Sequence, residues 1–243
     1  MPKIFYCMPI QVISRILDEF NKEEPNQSKL INLVEKLPLD DINAQDNNNC
    51  TALIHSVRYG YIKVAKLLLG KEGIDVNIQD EFGETALTRA SFNGNTKIVK
   101  LLLGKEGIDI NIPDNNGLVA LINASECGHI DIVKLLLEHK DININICSNK
   151  WTALMCASRN NYVDIMKLLL DHKDIDVNAQ NYDGNTALIY ASQKGYTEVV
   201  RLLLGHKDID INICNKYGCT PIKMALLYNH AKIVKLLRNK IDL

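Results

Sequence analysis

The chain has 243 residues, of which 47% are hydrophobic and 23% are charged, and its formal net charge at pH 7 is −1. The hydrophobic content excludes a disordered chain. A charge this close to zero argues against electrostatic attachment to nucleic acid or to an anionic membrane, which would require a basic surface. We therefore expect a folded protein whose partners are neither nucleic acids nor membranes.

The first 45 residues contain two helical patterns, from Pro9 to Asn21 and from Gln27 to Leu37, separated by a turn at residues 23–26. The first twelve residues carry one lysine and a short apolar run that Pro9 and Gln11 interrupt, which makes a poor secretory signal. No window approaches the length of a membrane span. We expect a monomeric, cytoplasmic protein.

A short phrase, Thr-Ala-Leu, recurs along the rest of the chain. Its six copies, two of them altered, begin at Thr51, Thr85, Val119, Thr152, Thr186 and Thr220. The successive steps are 34, 34, 33, 34 and 34 residues. A fixed period of this length predicts a solenoid, in which stacked units cover one another's apolar sides. The leucines of the phrase should therefore be buried: Leu53, Leu87, Leu121, Leu154 and Leu188.

The second copy illustrates how one unit is built. Gly83 can take the positive φ of a tight turn, and Thr85 can cap the first turn of a short helix. Gly94 is placed to end that helix, and Thr96 to Leu103 has the apolar spacing of a second helix. An alternating stretch at residues 108–111 predicts an extended arm that leads into the next copy.

Three segments of this copy carry a family resemblance. Gly83-x-Thr85-Ala86-Leu87 is similar to a G-x-T-P-L opening, residues 98–103 are similar to I-V-x-x-L-L, and residues 109–111 are similar to D-V-N. Together they resemble the ankyrin repeat, over roughly residue 41 to the end of the chain. The resemblance implies an all-α solenoid of paired short antiparallel helices with β-hairpin-like turn fingers. It divides the chain into degenerate N-terminal capping helices and six full repeats: 1–45, then 46–79, 80–113, 114–146, 147–180, 181–214 and 215–243.

The resemblance also implies that a protein partner binds the turn tips and the exposed side of the first helices, which form the concave face. Residues at these positions vary between copies, whereas the core positions do not. Aromatic and arginine side chains dominate interface energetics. The candidate partner-binding residues are Phe82, Arg89, Phe92, Leu118, Trp151, Arg159, Tyr182 and Tyr217. Isolated exposed apolar residues are also common without any binding role, so both interpretations stay open here.

The fourth copy has an irregular turn. Residues 145–152 are one residue shorter than the matching stretches, and Lys150 replaces the turn glycine, next to Trp151. A turn built for positive φ resists lysine, so we expect a remodelled hairpin. Turn tips tolerate deletions, but irregularities also collect at functional sites, and the sequence favours neither interpretation.

Seven cysteines are scattered over different repeat positions, and no Cys-x-x-Cys pair occurs. We expect all seven to be free thiols, as in a reducing compartment. Cys214 and Cys219 could offer two ligands to zinc, but no second pair accompanies them, so the sequence predicts no metal and no cofactor.

Three histidines recur at one repeat position, His139, His172 and His206. Packed units lie roughly 10 Å apart, too far for shared coordination of one metal ion. We interpret these residues as lying at the C-termini of the second helices, where a cation suits the helix dipole.

The sequence contains no phosphate-binding loop, no His-Glu-x-x-His motif and no nucleophile–base pattern, so we do not expect an enzyme. Our main hypothesis is a non-catalytic protein–protein interaction scaffold or adaptor. In an alternative hypothesis, Met8 to Leu17 resembles the opening of an F-box, and the chain is a substrate-recognition adaptor for a ubiquitin ligase. The need of a solenoid for a terminal cap favours the first hypothesis.

Overall fold

The computed structural model of the protein describes residues 9–22, 24–148 and 151–241. Within these ranges the chain forms fourteen α-helices, one short 3₁₀ helix and one two-stranded antiparallel pair. It divides between Asn115 and Asn116 into two compact units. No helix in the described residues is long and apolar enough to cross a membrane.

The first unit consists of helices in consecutive pairs, with the 3₁₀ helix Leu39–Asp41 following the first pair. Its helices are α1 Pro9–Phe20, α2 Gln27–Glu35, α3 Ala52–Arg58, α4 Ile62–Leu69, α5 Ala86–Phe92 and α6 Thr96–Leu103. The two N-terminal helices and the pair α5–α6 confirm the sequence prediction to within two residues.

The second unit holds four further pairs and both strands. Its helices are α7 Ala120–Cys127, α8 Ile130–Leu137, α9 Ala153–Arg159, α10 Val163–Leu170, α11 Ala187–Lys194, α12 Thr197–Leu204, α13 Pro221–Leu227 and α14 Ala231–Ile241. The strands are β1 Cys147–Ser148 and β2 Trp151–Thr152, so only the fourth turn finger forms regular strand pairing in the described residues.

The first helix of each pair begins where the sequence predicts it. The Thr85 hydroxyl accepts a hydrogen bond from the Thr88 backbone N–H at 3.2 Å, which satisfies one of the unpaired amides at the helix start. The helix ends at Phe92, and Gly94 follows with φ of 72°. Gly83 has φ of 74°, and a Cβ there would lie 2.6 Å from the Asn115 amide nitrogen, so this turn requires glycine.

Within each unit, first helices pack on first helices and second helices on second helices. In the first unit α3 contacts α5 and α4 contacts α6, and in the second unit α7, α9, α11 and α13 form one row and α8, α10, α12 and α14 the other. The five leucines of the repeated phrase are at most 2% exposed, which confirms their predicted burial. The core is therefore made where neighbouring pairs meet.

An asparagine at the end of the arm connects neighbouring repeats by hydrogen bonds. Asn77 donates from Nδ2 to the Gly107 carbonyl at 2.8 Å, and its Oδ1 accepts from the Asp109 backbone N–H at 2.9 Å. The same pair of hydrogen bonds to the next arm is made by Asn43, Asn145 and Asn178. These bonds are exposed, so each contributes modestly, but together they align consecutive arms.

Helix α1 covers the first apolar side of the first unit. It packs against α2 and α3, and its side chains Ile13, Ile16 and Phe20 are buried. Ile13, Ile16 and Phe20 therefore belong to the core.

The cysteines agree with the sequence prediction as far as they are described. Cys50, Cys127, Cys147, Cys156, Cys214 and Cys219 are free thiols. Cys7 lies outside the described residues.

Replacing Leu102 by alanine should lower the free energy of unfolding by about 2–5 kcal/mol, because the side chain is fully buried and its removal leaves a cavity. Lys97 on the same helix α6 is exposed, so Lys97→Ala should change stability by less than about 0.5 kcal/mol. Urea denaturation of both variants measures the difference. Equal effects would contradict the burial of this leucine.

Candidate functional site

The only tryptophan of the chain lies in the second unit, on strand β2 at the base of the fourth turn finger. β1 and β2 pair antiparallel, with Cys147 opposite Thr152 and Ser148 opposite Trp151. This places the indole beside the first helix of its own repeat, and it is half-buried. The predicted remodelling of this finger concerns Lys150, which lies outside the described residues.

The indole of Trp151 contacts one aromatic ring and one guanidinium group. Its ring centroid lies 4.8 Å from that of Tyr190 on α11, with the planes 27° apart. The Arg159 Cζ lies 5.3 Å from the indole centroid, within the range of a cation–π interaction. Trp151 and Arg159, two of the predicted residues, are thus brought together, and Tyr190 joins them.

Side-chain amides of the next two fingers hold Tyr190 in place. The Asn181 Nδ2 donates to the Tyr190 hydroxyl oxygen at 2.7 Å, and the Asn185 Nδ2 donates to it at 3.4 Å. Asn185 is held in turn by the Asn215 Nδ2, which donates to its Oδ1 at 2.9 Å. Burial raises the pKa of Tyr190 above its ordinary value, so the hydroxyl stays protonated at neutral pH. A buried hydrogen-bond network of this kind fixes the ring against which Trp151 stacks. We refer to Trp151, Arg159 and Tyr190 as the Trp151 surface.

Sequence reasoning missed Tyr190, which is the fourth residue after the cap Thr186. A signal existed, because this position carries a different residue in every copy: His55, Arg89, Asn123, Cys156, Tyr190 and Met224. At this position His55 bonds Asp46, Arg89 pairs with Glu84, and Tyr190 accepts from Asn181, each within its own finger. The position therefore links the first helix to the turn.

The remaining predicted residues divide between the two units. In the second unit Tyr182 and Tyr217 lie exposed on the fifth and sixth fingers, and Leu118 is half-buried. In the first unit Phe82 and Phe92 are each about half exposed. Arg89 forms an ion pair with Glu84 in a partly buried position, so this guanidinium already has a carboxylate partner.

The first unit contains a polar cluster that the sequence did not predict. Asp46 Oδ2 lies 2.8 Å from His55 Nε2, and both side chains are almost fully buried. Nearby, an Arg58 guanidinium nitrogen lies 3.4 Å from Asp80 Oδ2 and 3.5 Å from Cys50 Sγ. The acidic residues come from two consecutive fingers, so the cluster joins neighbouring repeats.

Burial and hydrogen bonding shift the pKa values of this pair. Burial lowers the pKa of His55 below its ordinary value, and the Asp46 carboxylate only partly opposes this. For Asp46, burial acts upward, but hydrogen bonds from the His55 ring and from backbone N–H groups outweigh it and hold its pKa low. His55 is therefore neutral at pH 7 and donates to an ionised Asp46. The His55 ring also stacks on Phe20 of α1, with centroids 5.2 Å apart.

One atom each from Asp46, Cys50 and His55 lies within 4.8 Å of the others, a spacing from which a metal ion could be bound. Two observations argue against this. Burial raises the pKa of Cys50 to about 11, whereas a metal binds the thiolate. The Arg58 guanidinium already places a positive charge beside that sulfur. The chemistry of the group therefore fits a hydrogen-bonded link between α3 and its finger better than a metal centre.

The three recurring histidines directly follow the C-caps of α8, α10 and α12, where the sequence predicts them. In His139, His172 and His206 the ring Nδ1 accepts a hydrogen bond at 3.3 Å from the backbone N–H two residues later. These hydrogen bonds organise the turn after each second helix.

The fold and these surfaces define a helical repeat protein in which paired short helices carry variable turn fingers. A family model described as ankyrin repeats (3 copies) matches residues 26–114, 106–181 and 176–243. The chain belongs to the ankyrin repeat family. No curated protein matches it in a sequence comparison.

Solved structures of the same family are similar over most of the chain. The ankyrin repeat domain of Bcl-3, a member of the IκB protein family, is 27% identical with a TM-score of 0.73, covering 94% of this chain and 96% of that one. EF0377, an ankyrin repeat protein, is 32% identical with a TM-score of 0.68, covering 80% and 98%. Ankyrin repeats generally mediate protein–protein interactions, and the fold is typically a non-catalytic scaffold.

His55→Gln should flatten the dependence of stability on pH. Because the folded-state pKa of His55 lies below its ordinary value of 6.5, the unfolded chain binds the proton more readily. The stability that neutral His55 provides is present above about pH 6.5 and is lost as the pH falls towards the folded-state pKa, by at most about 1.4 kcal/mol per pH unit.

Urea denaturation between about pH 7.5 and 5 measures this slope. Lys97→Ala, an exposed change on α6 of the same unit, serves as the control and should keep the wild-type slope, because lysine stays charged over this range. If His55→Gln and the wild type lose stability equally over this range, His55 does not remain neutral in the fold.

Proposed function

We propose that this protein is a non-catalytic scaffold or adaptor, and that it binds a protein partner through the Trp151 surface of the second unit. The observation that carries this proposal is the half-buried indole, stacked on Tyr190 and in contact with the Arg159 guanidinium. Tryptophan, tyrosine and arginine are the residue types that most often dominate binding energy at interfaces.

The arrangement favours binding because its side chains are already ordered. Tyr190 is held by Asn181, and Trp151 is held by its backbone pairing and by Tyr190. A partner that covers the indole therefore loses little side-chain entropy on the scaffold side. Arg159 is exposed and can add a hydrogen bond or ion pair at the edge of the contact.

The other predicted residues extend the proposed surface within each unit. Tyr182 and Tyr217 offer exposed rings on the two fingers that follow the Trp151 surface along the chain. In the first unit, Phe82 is exposed on a turn tip in the repeat position of Tyr217, and Phe92 is exposed at the end of α5 in the repeat position of Arg159. Leu118 and Arg89 are less accessible, and we assign them supporting contacts.

The alternative of a ubiquitin-ligase adaptor is weakened by the burial of α1. Docking through an F-box-like helix would use apolar side chains such as Ile13 and Ile16, and both are buried in the first unit. Met8 lies outside the described residues. The cap interpretation of α1 accounts for the packing of this helix without a partner.

Trp151→Ala and Arg159→Ala should each weaken partner binding by about 2 kcal/mol or more, which is roughly a thirtyfold loss of affinity. The partner is first identified by affinity capture with the wild-type chain and quantitative mass spectrometry, and the purified pair is then measured by calorimetry. Lys173→Ala, an exposed change elsewhere in the second unit, is the control and should bind as the wild type does.

The same variants separate a binding role from a structural one. Trp151→Ala should cost about 0.5–1.5 kcal/mol of stability, the usual contribution of one aromatic stack, and Arg159→Ala less. Unchanged affinity in both variants would place the partner elsewhere, and global unfolding of Trp151→Ala would assign the indole to the core.

A further inference from the structure

The last helical pair of the second unit exposes an apolar surface next to a cleft. Leu226, Leu227 and Tyr228 are consecutive residues at the end of α13, and they are 51%, 66% and 51% exposed. Leu226 lines a cleft of about 460 Å³ between α13 and α14, together with Val234, Lys235 and Arg238. Contiguous exposed apolar side chains of this kind mark interaction surfaces. We call Leu226, Val234, Lys235 and Arg238 the α13–α14 cleft.

This cleft continues the packing surface that earlier pairs bury. The residue six positions after the helix cap is Ser125, Ser158 and Ser192 in the preceding pairs, and each is fully buried. Ser158 shows what covers it, because its hydroxyl donates to the Ala187 carbonyl at the start of the next first helix, at 2.7 Å. The equivalent residue of the last pair is Leu226, so the surface is of a kind that packs against a helix.

A leucine at this position changes which helix can be accommodated. Serine allows the next first helix to approach closely, while its paired second helix packs at the same time. Leu226 is bulkier and holds an incoming helix farther away, which a rigid helical pair tolerates poorly. A single helix can adjust its distance within the range of about 8–10 Å seen for packed helices. The cleft can therefore accommodate a single amphipathic helix.

The charge around the cleft is strongly one-sided. Between Pro221 and Ile241 the chain has five cations and no aspartate or glutamate: Lys223, Lys232, Lys235, Arg238 and Lys240. In the two preceding second helices, an acidic residue pairs with a cation three positions later, Asp164 with Lys167 and Glu198 with Arg201. In α14 the acidic position is occupied by Lys232, so Lys235 lacks this partner. Lys235 and Arg238 lie three residues apart and line the same cleft.

We propose that the α13–α14 cleft binds an acidic amphipathic helix of a partner protein. The apolar side of that helix covers Leu226 and Val234, and its carboxylates pair with Lys235 and Arg238. The cleft is concave, so it fits the ridge of a helix better than the flat surface of a membrane. Helix α14 is about 16 Å long, which corresponds to about three turns of bound helix.

The test uses the full chain and a fluorescein-labelled helical peptide of about 14 residues, with leucines on one side and glutamates on the other. Fluorescence anisotropy measures its affinity. A matched peptide with lysines in place of the glutamates has the same apolar side and the opposite charge. The acidic peptide should bind at least about tenfold more tightly than the basic one.

Two variants locate the binding in the cleft. Lys235→Glu combined with Arg238→Glu should lower the affinity for the acidic peptide at least about tenfold and raise the affinity for the basic one. Leu226→Ser, which restores the serine of the earlier pairs, should lower the affinity for the acidic peptide about tenfold. The control Lys173→Glu with Lys207→Glu changes two exposed cations of the same unit and should leave both affinities unchanged. Circular dichroism verifies that each variant is folded.

Several results would overturn the proposal. Equal affinities for the two peptides, or affinities that the variants of Lys235 and Arg238 leave unchanged, would show that the cleft does not recognise charge. Sedimentation of the chain with vesicles of equal parts phosphatidylserine and phosphatidylcholine, without peptide binding, would assign the surface to a membrane. A dimer that Leu226→Ser converts to a monomer would assign it to a second copy. Trp151→Ala should leave the affinity for the peptide unchanged, so this test is independent of the Trp151 surface.

Discussion

The burial of apolar side chains between neighbouring helical pairs is the constraint on which the rest of this structure depends. No pair could cover its own leucines, and Leu87 and Leu154 are buried only because other pairs lie against them. Positions that face a neighbour are therefore confined to small or aliphatic residues. The fingers and the outer positions of the first helices carry no such restriction, so chemistry can change there from copy to copy without loss of the fold.

The two proposed surfaces arise where single copies depart from the repeat pattern. At the Trp151 surface, a short hairpin brings an indole against Tyr190, a ring that other copies replace by histidine, arginine or asparagine. At the α13–α14 cleft, leucine replaces a buried serine and lysine replaces an acidic residue. In the first unit, the repeat position of Tyr190 is occupied by His55, which makes a buried hydrogen bond to Asp46.

The sequence predicted the helices well because their determinants are local. Thr85 caps α5, Gly94 follows its end and the apolar spacing of residues 96–103 defines α6, all within one copy. The Trp151 surface could be predicted only in part, because Tyr190 lies one repeat away from Trp151 and depends on Asn181 for its orientation. The polar cluster of the first unit was missed in part for the same reason, since Asp80 reaches Arg58 of the preceding copy only when two fingers stack.

The Trp151 surface can be observed directly because the chain has a single tryptophan. Replacing it with 5-fluorotryptophan during expression gives one ¹⁹F resonance, which no unlabelled partner can obscure. We predict that this resonance shifts or broadens when the purified partner is added, and that Arg159→Ala reduces the change at the same partner concentration. A resonance that stays unchanged while the complex demonstrably forms would contradict the proposed role of this surface.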